Sequence, residues 1–188
     1  MVTIRNETIR DVDAREALLD RVWGDTRFQK TAERLREDRR PADGLSFTAA
    51  DDRRLVGTVR LWHVCAGPPR PALLLGPLAV DEARRGCGIG GTLMLRALAT
   101  AKRLGHAAVL LVGDEPYYGR FGFSAEKTSG LWLPGPYERH RLLACELKPG
   151  ALDGARGLVG ATGEIAPRPS LDALAGLAHG DSRAARAA

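Results

Sequence analysis

The stretch from Leu73 to Leu104 constrains this 188-residue chain most. An apolar run, Leu73-Leu74-Leu75-Gly76-Pro77-Leu78-Ala79-Val80, leads into the charged turn Asp81-Glu82-Ala83-Arg84-Arg85, the glycine loop Gly86-Cys87-Gly88-Ile89-Gly90-Gly91 and a segment of helical period. A buried strand that turns through glycines into a helix is suited to hold a phosphate. Glycine lets the backbone approach an anion closely and turn its N–H groups toward it, and the helix start adds the positive end of its dipole. Within the helix, Ile89, Leu93, Ala97, Thr100, Ala101 and Leu104 recur at intervals that put them on one face, and Gly105 marks the end. Ala107 to Val112 is again almost wholly apolar, as expected of a strand buried on both faces and parallel to the first across a helical crossover.

The flanking segments extend this unit into an α+β domain. Val2 to Arg5 alternates as a short strand does, and Asp13-Ala14-Arg15-Glu16 matches a capping box for a helix to Trp23. Leu18, Leu19, Val22 and Trp23 would face inward. The spacing predicts a second helix over Thr31 to Arg39 with an exposed charged face, stopped before Pro41 because the residue preceding proline avoids the helical region. Ser46 to Ala50 and Leu55 to Val64 read as a hairpin about Asp51-Asp52-Arg53-Arg54, with Val56, Thr58, Arg60 and Trp62 in period-two order. Further on, Pro116 opens a short helix to Arg120, with Asp114 or Glu115 near its N-terminus. Strands are expected from Phe123, over Leu131 to Leu133 and over Arg141 to Leu147. Past Pro149 the composition turns to glycine and alanine. Residues 1–160 are therefore expected to form the domain and residues 161–188 a weakly structured C-terminal tail, frayed or weakly helical from Ser170.

Charge and cysteine use narrow the function classes. The net charge of +5 favours anionic ligands, yet the basic residues are scattered, which fits a solvated surface and not a nucleic-acid footprint. Cys65, Cys87 and Cys145 lie far apart without histidine partners, so neither a metal site nor a disulfide framework is expected. No basic-then-apolar leader opens the sequence and no apolar run approaches membrane-spanning length, so the expected location is cytoplasmic with no membrane partner.

The glycine loop admits two readings. As a string it satisfies GxGxxG, with Asp114 roughly 20 residues on, where a dinucleotide fold places its ribose acid. Against that reading, Asp81 to Arg85 separate the strand from the first glycine, and too little chain follows for a second mononucleotide half. The lysine of a nucleotide-triphosphate P-loop is also absent. The other register is Arg85-x-x-Gly88-x-Gly90. In that register Val80 to Leu93 resembles the pyrophosphate motif of the GNAT superfamily of acyl-CoA-dependent N-acetyltransferases, with Glu82 where the family usually has proline. Tyr117-Tyr118-Gly119-Arg120-Phe121-Gly122-Phe123 is similar to that family's Tyr-x-x-x-Gly-Phe signature. Gly76 to Val80, Gly113 to Tyr118 and Gly130 to Pro136 look like its bacterial YhbS-like subgroup, and the likeness covers Thr3 to about Val159.

The resemblance implies a three-layer α/β/α arrangement, with a mixed, mostly antiparallel central sheet splayed between its two parallel strands. It implies acetyl-CoA as cosubstrate, no metal, and a small-molecule or peptide amine as acceptor; a homodimer is allowed. Arg85, Gly86, Cys87, Gly88, Ile89, Gly90 and Gly91 would hold the pyrophosphate, Cys87 only through its backbone, with Arg84 as the weaker of the two candidate arginines. The strand edge at Leu78, Ala79 and Val80 would bond the pantetheine arm and polarise the thioester carbonyl. Tyr118 would be the general acid for the departing thiolate, and Tyr117 is structural. For the general base the residues leave His63, Glu82 and Asp114 open, and Trp23, Phe28, Trp62 and Trp132 are candidates for the acceptor pocket. The other class of function compatible with these motifs is a non-catalytic acyl-CoA-binding or sensing module.

Overall fold

The computed structural model describes residues 1–52 and 54–167. Arg53 of the hairpin turn and the tail expected from Ser170 lie outside the described residues. The strands are β1 (Val2–Asn6), β2 (Ser46–Asp51), β3 (Arg54–Ala66), β4 (Pro71–Val80), β5 (Ala108–Val112), β6 (Leu131–Trp132), β7 (Leu142–Glu146) and β8 (Gly157–Ala161). They join in one sheet of order β1-β2-β3-β4-β5-β7, with β8 on the end of β3 and β6 on β8. Every pair on the main path is antiparallel except β4 with β5. The helices are α1 (Val12–Trp23), α2 (Thr31–Arg34), α3 (Ile89–Arg103) and α4 (Glu115–Tyr118).

Two faces of the sheet carry separate cores, as the apolar runs require. β5 divides its side chains by the period of two: Val109 and Leu111 join the cluster under α3, and Ala108 and Leu110 join the cluster on the other face. On β4, Val80 packs with the α3 cluster while Ala79 packs with Leu18 and Leu19 of α1. The result is three layers, α3 on one face and α1 on the other. Among the described residues no helix is long and apolar enough to cross a membrane.

The feature that positions the site is the opening between β4 and β5. These strands pair only at Leu73 with Val109 and Leu74 with Leu110, while β4 continues to Val80 against β3. The β3–β4 register slips at this point, where Val59 faces Leu78 and Leu61 faces Leu75, so Gly76-Pro77 bulges out. Pro77 has no N–H to give a neighbouring strand, which confines proline to edges and bulges. The indole of Trp62 donates to the Gly76 carbonyl at 2.6 Å and pins the bulge.

Several local expectations are corrected. The capping box is Thr8 with Asp11, whose carboxylate accepts from the Thr8 N–H at 2.7 Å and its hydroxyl at 2.8 Å, and not Asp13 with Glu16. The second helix ends at Arg34 because Asp38 takes a left-handed φ of 54° and Arg40 turns away to donate to the Glu164 carbonyl. Its charged run is not all exposed, since Leu35 and Arg36 are buried. No strand starts at Phe123: that side chain is buried, and only Ser124 bridges to Ala144. Trp23 and Leu104, expected inside, are exposed. Residues 162–166 stay attached to the sheet, with Thr162 donating to His63 and Ala166 to Asp38.

Candidate active site

The turn after β4 is built before any ligand is considered. Asp81 caps the short 3₁₀ turn Glu82–Arg84 by accepting from the Ala83 N–H at 3.1 Å, and it is itself held by Arg54 at 2.8 Å. Arg84 and Arg85 are then separated in role. Arg84 forms an ion pair with Asp51 on β2, whereas the exposed Arg85 has only Glu82, 3.3 Å away and exposed, as an ion-pair partner among the described residues. Gly86 and Gly88 have φ of +80° and +76°, a region that costs an L side chain roughly 1–2 kcal/mol. Gly88 then starts α3, and the amides of Gly86, Cys87 and Gly88 donate to no backbone oxygen among the described residues. Those of Ile89, Gly90 and Gly91 belong to the first turn, where no intrahelical acceptor exists. Gly90 has an added reason to be glycine, because a Cβ there would lie 2.8 Å from the Tyr117 hydroxyl.

The second component is the free edge of β4. Leu78, Ala79 and Val80 pair with Val59, Thr58 and Gly57 on one side, and no strand occupies the other side among the described residues. That edge borders a cleft of about 650 Å³ lined by Leu75, Gly76, Pro77 and Leu78 from β4 and by Leu111 and Val112 from β5.

Tyr118, at the end of α4, lines the same cleft. Its ring meets Tyr117 edge-on at 4.8 Å and Phe123 at 6.2 Å. It lies so close to the backbone that a Cβ on Gly113 would come within 2.2 Å of it. Its hydroxyl has no hydrogen-bond partner in the protein among the described residues. Burial, reinforced by Tyr117 and Asp114, pushes its pKa up to about 12. The phenol therefore stays protonated throughout the neutral range. Tyr117 packs between Tyr118 and Phe121 under the Arg120 guanidinium.

None of the three candidate bases lines the cleft. His63 packs against His106 with ring centroids 5.5 Å apart and planes tilted by 48°, Glu82 is exposed beside Arg85, and Asp114 lies by Arg141 at the α4 N-terminus. Trp23, Phe28 and Trp62 do line it, while Trp132 is exposed under Arg139. The sequence did not single out the cations that also line it: Arg15, Arg27, Lys30, Arg36, Arg60 and Arg141. The one available signal was Pro77 inside an apolar strand, which marks where the sheet opens and hence which side chains face the opening. Cys87 is exposed, with its sulfur 3.9 Å from the Arg85 carbonyl. No group of three or more potential metal ligands forms among the described residues.

Fold and site together define a class, an acyltransferase-type α+β domain with its sheet split over a cleft and an anion loop at one end of the split. The model of the acetyltransferase (GNAT) family matches residues 12–123. The uncharacterized N-acetyltransferase YhbS of Escherichia coli K12 is 33% identical over 157 residues, 83% of this chain and 93% of that protein. The chain belongs to the GNAT acetyltransferase family. The crystal structure of Escherichia coli YhbS in complex with CoA superposes with a TM-score of 0.73 at 32% identity, covering 86% of this chain and 89% of that one. A Brucella melitensis GNAT acetyltransferase in complex with acetyl-CoA gives 0.60 at 27% identity, covering 86% and 96%.

Proposed function

We propose that the chain is an acetyl-CoA-dependent N-acetyltransferase that passes the acetyl group to a primary amine by direct attack. One observation carries this reading: among the described residues, the edge of β4 without a strand partner and the protonated Tyr118 hydroxyl without a hydrogen-bond partner border the same cleft, next to a glycine loop whose first amides have no backbone acceptor. The CoA and acetyl-CoA complexes of the two similar structures support acetyl-CoA as the cosubstrate.

The residues fit that cosubstrate. Arg85 and the amides of Gly86 to Gly91 are suited to a pyrophosphate, combining a weakly committed cation with a helix start. The free edge at Leu78 to Val80 offers backbone groups to an extended amide-bearing arm, and one of its N–H groups would polarise the thioester carbonyl. The reaction forms an amide bond and breaks the C–S bond. Tyr118 donates a hydrogen bond to the sulfur as negative charge builds there. Full transfer of its proton is uphill by about 3.5 units, because a thiol ionises near 8.5 and this phenol near 12. The proton that ends on the thiol therefore originates from the amine, with Tyr118 bridging the interval. Three free cysteines suit a reducing cytoplasm as the location.

The test is thiol release from acetyl-CoA across a panel of small amines and short peptides. Amine-dependent release, with the acetylated amine recovered in equal amount, supports the proposal. Tight acetyl-CoA binding with no release for any acceptor would instead mark an acyl-CoA-binding module.

A further inference from the structure

The cleft beside Tyr118 presents six cationic side chains to three carboxylates, Glu16, Glu33 and Glu138. The imbalance arises because compensating carboxylates stand outside the lining. Glu7 holds Arg15 and Arg60 from behind, Asp20 joins Glu16 on Arg27, and Asp114 flanks Arg141. Those contacts leave hydrogen-bond donors with nothing to bond. The Nε of Arg27 is buried without an acceptor among the described residues, and the Nε of Arg141 has the Asp114 carboxylate 3.2 Å away but outside hydrogen-bond geometry. Arg36 spends Nη2 on Glu33 at 2.8 Å and Nε on the Ala32 carbonyl at 3.2 Å. Its Nη1 lies beside the β4 bulge, 3.5 Å from where a Gly76 Cβ would be.

Lys30 completes the group. It is exposed, its ammonium lies 3.4 Å over the Trp23 ring, and no carboxylate forms an ion pair with it among the described residues. Partial burial first, and then the nearby charges of Arg36 and Arg141, push its pKa down. Lys30 is thus the cleft cation without an ion-pair partner among the described residues, while Arg36 and Arg141, though paired with Glu33 and Asp114, keep guanidinium N–H groups that those carboxylates do not use. Guanidiniums with free donors are matched to carboxylate and phosphate oxygens. Cations beside the acceptor also repel a protonated amine and lower its pKa, which favours the neutral nucleophile.

We infer that the acceptor is a small amine that also carries an anionic group, a carboxylate or phosphate, bound by Lys30, Arg36 and Arg141 in the cleft that Tyr118 lines. This rests on the acetyl-transfer reading above. It disfavours polyamines and other acceptors that are cationic throughout.

The experiment compares matched acceptors by thiol release from acetyl-CoA: tyrosine against tyramine, lysine against cadaverine, and phosphoethanolamine against ethanolamine. The expected result is a kcat/KM about 10- to 100-fold higher for the anionic member, the worth of one charge-assisted hydrogen bond. The first two pairs report a carboxylate and the third a phosphate. Lys30→Met keeps a long side chain over Trp23, and its effect falls on KM for the anionic member with kcat little changed; Lys30→Arg restores the preference. Equal or faster acetylation of tyramine, cadaverine and ethanolamine overturns the inference while leaving acetyl transfer intact. Failure to bind acetyl-CoA at all would overturn the function reading itself. Should no acceptor in the panel turn over, calorimetry with CoA present decides. N-acetyltyrosine binding at least about tenfold tighter than N-acetyltyrosinamide upholds the anion site, and equal or undetectable binding of both refutes it.

Discussion

Replacing Tyr118 by phenylalanine should move stability and activity in opposite directions. The ring is held by contacts that phenylalanine keeps: Tyr117 at 4.8 Å, Phe123 at 6.2 Å and the Gly113 backbone, against which no Cβ would fit. The hydroxyl, in contrast, bonds to no protein group among the described residues, and its pKa near 12 reports the desolvation it suffers. An apolar-buried hydroxyl without a partner costs about 1–3 kcal/mol, and access to the cleft places this one at the lower end. Tyr118→Phe should therefore melt at the same temperature as the wild type or up to about 4 °C higher, the shift produced by about 1 kcal/mol in a domain of this size. Acetyl transfer should fall by about 10²- to 10³-fold, or about 2.7–4 kcal/mol in barrier, the usual loss when a preorganised hydrogen-bond donor to developing charge is removed. Thermal melting, thiol release at saturating acetyl-CoA and calorimetric CoA binding measure the three quantities. A variant that retains activity within a few-fold, or one that is destabilised and loses CoA affinity in step with activity, would refute the reasoning. Because Tyr118 ionises only near pH 12, it should contribute no alkaline limb to kcat below about pH 10.

Three other outcomes follow from the same geometry. Arg85→Ala should weaken acetyl-CoA binding about tenfold and reduce its salt dependence, while Arg84→Ala, whose side chain is committed to Asp51, should change affinity little; calorimetry at two ionic strengths separates them. Gly113→Ala drives a methyl group into the Tyr118 ring, so it should cost about 1–3 kcal/mol in denaturant unfolding and also lower kcat. Asp11 accepts from Arg5 at 2.6 and 2.7 Å and twice from Thr8, and these bonds, led by Arg5, hold its carboxyl well below the usual range. Its folded pKa is depressed, so its stabilisation is complete above the unfolded value of about 3.9 and is lost as pH falls below that. Asp11→Asn should lower stability by about 1–2 kcal/mol at pH 7 and flatten the acid decline, as followed by melting temperature from about pH 6 to about pH 3.

The parts of this protein that were legible in its sequence are those governed by local rules. The run at Ala107 to Val112 announced a strand buried on both faces, and Val109 and Leu110 do alternate between two cores. The glycine loop was readable for the same reason, since φ near +80° at Gly86 and +76° at Gly88 is a demand that falls on single residues. Tyr118 was singled out by its offset from Gly122 and Phe123 through the family likeness, and its side chain lines the cleft. What could not be read depended on distant partners. Thr31 to Arg39 has helical periodicity, yet the chain leaves the helix so that Arg39 and Arg40 can join residues 164–165, more than 120 positions away. Arg36 looks solvent-exposed in a string of charges and is buried only because the β4 bulge and Glu33 surround it. The cations of the cleft are dispersed over α1, the segments on either side of α2, β3 and the segment before β7, and no spacing rule collects such residues.

The central claim is that the glycine loop and Arg85 recognise the pyrophosphate of coenzyme A. Its most direct test is a calorimetric titration of the wild-type chain with CoA and, separately, with pantetheine, which shares the arm but lacks the pyrophosphate. One-to-one CoA binding in the micromolar range, with pantetheine at least about 100-fold weaker, is the predicted result, since two charge-assisted bonds are worth about that much. Equal affinity for the two, or no heat with CoA up to millimolar concentration, would contradict it.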